Sequence, residues 1–106
     1  MEIHKINNFT GGWFIGDFEP TVFKTKTFEV CYKKHKKNEK WDTHYHKIAT
    51  EINYLINGSM IIQGKQLNKG DIFIIYPNEI ADPIFLEDCD LIVVKTPSIL
   101  NDKYEI

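Results

Sequence analysis

The chain has no arginine: all 13 of its basic residues are lysine. Arginine's planar fork is the usual bidentate clamp for carboxylate and phosphate. An anionic ligand must therefore be met by lysine, backbone N–H groups or a metal, although the same bias, alongside many Ile and Asn, is what an AT-rich coding sequence yields. Cysteine is scarce too. Cys31 and Cys89 stand far apart, in no motif, and read as reduced thiols of a cytoplasmic protein. Met1 to Asn7 lacks the apolar core of a secretory signal, and no run approaches a membrane span. Net charge is only −2, so composition predicts neither nucleic-acid binding nor attraction to a membrane surface. There is no Ser-His-Asp set, phosphate loop, Cys-x-x-Cys or dinucleotide fingerprint, and no sustained i, i+3, i+4, i+7 periodicity of helices.

What is present is a series of short apolar runs split by Gly, Pro, Asn and Asp. With 106 residues, 42% apolar and 26% charged, the chain suits one soluble domain, 1–106, with one modest core. Strands are predicted near Trp13–Ile15, Val22–Lys24, Phe28–Lys33, Thr50–Ile56, Met60–Gln63, Ile72–Tyr76, Ile84–Leu86 and Leu91–Val94. Gly64-Lys65-Gln66 reads as a hairpin turn, and Ile72–Tyr76 as a buried-type strand ended by Pro77. In Phe28–Lys33 the alternation leaves open which side faces inward. Asn101 to Ile106 is a polar tail, docked or frayed. So many short strands at close spacing argue an all-β sandwich or barrel.

The densest chemistry lies in Trp41 to Gly58, which reduces to H-x-H, four residues, E, six residues, G: His44, His46, Glu51, Gly58. Side chains two apart on a strand share a face, about 7 Å apart at Cα. His44 and His46 therefore leave one side of one strand and Tyr45 the other. If Thr50–Ile56 is the neighbouring strand, Glu51 faces the imidazole pair. Two imidazoles and a carboxylate suit a divalent transition metal. Asn57-Gly58 supplies a tight turn.

This stretch resembles the first motif of the cupin superfamily, matching its two His, its Glu and its Gly. The resemblance implies an all-β double-stranded β-helix, a jelly-roll barrel, with His44, His46 and Glu51 as ligands of one divalent metal (Fe, Mn, Ni or Zn). The second motif is eroded. Gly70, Asp71 and Pro77 match, with one extra residue before the proline; Glu79 replaces a glycine, and Asp82 stands where the family has its third histidine. Asp82 is thus a fourth metal ligand, a general base beside the metal, or a turn residue before Pro83. A strand bulge would keep it in register; without one it turns outward.

If the histidines face inward, alternation brings Glu51, Asn53 and Leu55 with them and leaves Ile52, Tyr54 and Ile56 outside. That outer apolar set needs a cover, and a homodimer supplies one. The charge run Lys33 to Lys40, His35 included, reads as a solvated loop. Trp13, Trp41, Tyr32, Tyr76 and Phe85 read as core. The resemblance implies a metal-dependent enzyme on a small polar metabolite (isomerase or epimerase, dioxygenase or lyase), or else a non-catalytic ligand-binding or regulatory cupin, possibly one that binds a sugar.

Overall fold

Period-two patterning is realised as eleven strands in a computed structural model that describes residues 1–106. They are β1 (Trp13–Gly16), β2 (Phe23–Lys24), β3 (Glu29–His35), β4 (His44–Tyr45), β5 (Thr50–Asn57), β6 (Ser59–Ile62), β7 (Lys65–Asn68), β8 (Ile72–Ile75), β9 (Ile84–Phe85), β10 (Cys89–Thr96) and β11 (Tyr104–Glu105). The helical content is two short 3-10 turns, Ile6–Asn8 and Thr10–Gly12. No helix is long and apolar enough to cross a membrane. The all-β expectation holds.

Three sheets form. The largest runs β2-β1-β3-β10-β5-β8, a second β7-β6-β9, and a third pairs β11 with β4. Long strands sit at the centre: β10 is antiparallel to both β3 and β5, with Val93 opposite Cys31 on one side and Asn53 on the other. Asn53 and Leu55 are buried on the inner face of β5, while Ile52 and Tyr54 are exposed on the outer, as alternation requires. Inner side chains of both larger sheets meet in a core of Cys31, Leu55, Met60, Phe85, Cys89, Leu91 and Val93. Each large apolar side chain buried there contributes about 1.5–3 kcal/mol. Both thiols are free and buried, and burial pushes the Cys31 thiol up to about 11, so it is an inert core residue.

Between β5 and β6 the chain leaves the largest sheet for the three-stranded one, turning at Gly58. Its φ is +97°, and a Cβ there would lie 2.4 Å from the Asp88 carbonyl oxygen, so only glycine fits the corner.

The fold corrects several expectations. The β6–β7 hairpin turns at Gln63 and Gly64, at φ +51° and +72°, the two-positive-φ loop that matches strand twist; Lys65 and Gln66 belong to β7. Strand β8 lies at a sheet edge, and only Phe73 and Ile75 face inward, so Ile72 is 69% exposed. The C-terminal tail is docked, with Tyr104 and Glu105 opposite Tyr45 and His44. β4 is not a neighbour of β5: it pairs with β11 and bridges Ala81, whereas β5 pairs with β8 and β10.

Candidate functional site

His44 and His46 are both buried, their ring centroids 5.2 Å apart and nearly perpendicular. Local strand phase puts them on the same side. The His44 backbone exchanges hydrogen bonds with Ala81, and the His46 carbonyl accepts one from Asn78. Tyr45 leaves the opposite side and stacks on Tyr104. The segment after His46 is held from the C-terminal tail: the buried Asp102 carboxylate accepts from the N–H groups of Lys47, Ile48 and Ala49.

Two features of the imidazoles matter chemically. The His44 Nδ1–H donates to the Asp42 carbonyl at 2.9 Å, which leaves Nε2 as the lone-pair nitrogen. That is the arrangement by which a second hydrogen bond fixes the tautomer of a metal-binding histidine. His46 Nε2 is buried and has no hydrogen-bond partner, and an unpaired buried polar nitrogen is costly. Burial, with the charges of Lys95 and His44 adding to it, holds the His46 imidazole down at about 4. The ring is therefore neutral at pH 7, the form that can ligate.

Both histidines open into a cavity of about 200 Å³ between the sheets. Glu51 and Asn53 line it from β5, Phe73 and Ile75 from β8, Met60 and Ile62 from β6. The Asn53 amide donates to the Glu51 carboxylate at 3.3 Å. Glu51 thus faces the same cavity as the histidines, from the largest sheet rather than from an adjacent strand. No three His, Cys, Asp or Glu side chains converge closely enough to hold an ion as they stand.

Asp82 is not brought to the cavity. Its carboxylate accepts from the Gln63 N–H at 2.7 Å and so braces the β6–β7 turn, while its neighbour Ala81 is buried and lines the cavity. Ala81 bridges His44, and Asp82, the residue after it, is half-buried outside any strand. Of the three readings of Asp82, the turn residue is the one its hydrogen bond to Gln63 supports.

Sequence reasoning also passed over several cavity residues. His35 is buried at the end of β3, not solvated; it stacks on Phe85 with centroids 4.2 Å apart, and its Nδ1–H donates to Glu39. Burial would raise the Glu39 carboxyl, but the hydrogen bonds from His35 and the Lys36 N–H bring it below its ordinary value. Trp13, Trp41 and Phe85 line the cavity rather than only filling core, as do Lys33, Lys95 and Lys103. The available signal was that Lys33 and His35 lie in phase with Cys31 on one strand. Tyr76 is exposed.

No family model and no curated protein matches the chain. Solved structures do. A conserved protein with a double-stranded β-helix domain from Klebsiella pneumoniae is 17% identical, with 98% of this chain and 90% of that one covered and a TM-score of 0.70. KdgF from Halomonas sp. is 21% identical over 73% of this chain and 74% of its own, with a TM-score of 0.64. A cupin-2 domain protein from Shewanella frigidimarina is 14% identical over 68% and 72%, with a TM-score of 0.57. Likeness at this identity establishes the fold, which is that of the small cupins, and the site has to be argued from its own residues.

Proposed function

We propose that the chain is one cupin domain that holds a divalent transition metal on His44, His46 and Glu51 and acts on a small polar metabolite in the cavity. One observation carries the proposal: a neutral imidazole nitrogen, His46 Nε2, buried without a partner beside a second imidazole whose tautomer is set by the Asp42 carbonyl. The donor set of two nitrogens and a carboxylate suits Mn, Fe, Ni or Zn. Such a metal supplies a Lewis acid or an O₂ site. The chain's own part is to orient His44 through Asp42, to present Glu51 through Asn53, and to exclude water with Met60, Ile62, Phe73 and Ile75. Asp82 has no role in this proposal.

Elemental analysis of purified protein tests it. Wild type is expected to carry close to one metal per chain, and a His44→Ala, His46→Ala double variant close to none; equal content in the two overturns the proposal. The competing reading is a non-catalytic ligand-binding cupin. It is favoured by the Glu51 carboxylate resting on Asn53 instead of closing on the histidines. Metal-free wild-type protein that still binds a small ligand would decide for it. The proposal also takes the protein to be cytoplasmic, which the free buried thiols support, and homodimeric through the outer face of the largest sheet.

A further inference from the structure

Three lysines line the cavity, two of them half-buried and Lys103 exposed at its mouth. Lys33 on β3, Lys95 on β10 and Lys103 in the C-terminal tail all line it, against the single carboxylate of Glu51. Lys33 and Lys95 hold inward strand positions, in phase with buried Cys31 and His35 on one strand and Leu91 and Val93 on the other. Lysine is a costly choice for an inward position, since its charge must stay solvated or find a counter-charge. None of the three forms an ion pair; the protein's lysine ion pairs are those of Lys24 with Glu19 and Lys36 with Asp88. Each lies over an aromatic ring instead. Lys33 and Lys103 approach the Trp41 ring to 5.7 and 4.9 Å, and Lys95 approaches Trp13 to 5.1 Å. An indole face orients an ammonium without neutralising it. Glu29 and Glu51 stand opposite Lys95 on the strands either side of it, and Glu29 and Asp102 line the adjoining space. The charge of Lys95 is felt at Glu29, but no carboxylate closes to within 4 Å of Lys33, Lys95 or Lys103.

From this geometry we infer that the ligand of the cavity is a small organic carboxylate, whose anionic group is received by Lys33, Lys95 and Lys103 while its body lies against the apolar wall. The inference rests on reading the cavity as the ligand site of the cupin fold. A bound divalent metal would make the cavity more positive still and strengthen the preference. A phosphate group is the weaker fit: the chain has neither arginine nor an α-helix whose N-terminus could cradle one.

The test uses purified full-length protein whose metal content has been measured. Its only two tryptophans both line the cavity, so intrinsic fluorescence reports occupancy, with calorimetry as a second readout. The probes are succinate, malate and glucuronate, each beside a neutral counterpart (succinamide, malamide, glucose), and inorganic phosphate. At least one carboxylate is expected to bind ten-fold or more tighter than its counterpart, with affinity falling as salt rises. Lys33→Gln and Lys95→Gln should each weaken it about ten-fold while metal content stays at the wild-type level. Equal binding of acid and neutral partner, no carboxylate binding, phosphate binding tighter than every carboxylate, or lysine variants that bind like wild type overturns the inference. Metal content separates the two readings. Metal present without carboxylate binding removes only this inference, and lysine-dependent carboxylate binding without metal removes only the metal.

Discussion

The Asp102 carboxylate accepts hydrogen bonds from three consecutive backbone N–H groups, those of Lys47, Ile48 and Ala49, at 2.9–3.3 Å. It thereby ties the segment that follows His46 to the C-terminal tail. Burial would raise this carboxyl, but the three N–H donors, with the neighbouring His46, hold it below its ordinary value of 3.8. A carboxylate depressed in the folded state stabilises fully above its unfolded value, and that stability is lost as pH falls through the folded one. Asp102→Ala strands those donors and should cost about 3 kcal/mol at pH 7. Urea denaturation at pH 7 and near pH 3 checks both points, because the gap between wild type and variant should narrow in acid. A gap that widens there would mean the assignment is wrong.

At the scale of elements, the same residue type does different work according to where the strands deliver it. Asp82 occupies a family position for metal chemistry, yet it braces the Gln63–Gly64 turn that joins β6 to β7. Asp82→Ala should therefore lower stability by about 1 kcal/mol, the worth of one turn hydrogen bond, and leave metal content unchanged. Thermal melts with parallel elemental analysis decide the matter, and loss of metal on this substitution would restore the ligand role. The Gly58 corner shows the converse. There a single backbone conformation lets β5 present Glu51 to the cavity while β6 closes the opposite wall with Met60 and Ile62.

Across the whole molecule, the outer face of the largest sheet is apolar and open. Ile52 stands opposite Ile74 and Tyr54 opposite Ile72, with Val94 and Ile92 beside them on β10; Tyr54 is 44% and Ile72 69% exposed. In the proposed dimer a second copy would cover this patch, and a stable pair needs about 800 Å² from each partner. Sedimentation equilibrium in the tens-of-micromolar range should give twice the 12.5 kDa of the chain. Tyr54→Lys with Ile72→Lys should give the monomer. A monomeric wild type would count decisively against the dimer.

The sequence by itself determined what is local: the strand periodicity, the all-β class, the shared side of His44 and His46, and the shared face of Glu51, Asn53 and Leu55. Period-two geometry is a property of a few consecutive residues, so it was legible without knowing any partner. The match to the cupin motif carried the architecture further than periodicity alone, to the double-stranded β-helix that the solved structures share. Only the tertiary structure decided which strands meet and which of two phases faces inward. Pairing of Cys31 with Val93 turned Lys33 and His35 into the cavity, where the sequence offered only a charge run. Asp82, next to the bridge between His44 and Ala81, accepts from the Gln63 N–H. Each alternating strand has two equally good phases, and long-range pairing alone selects between them.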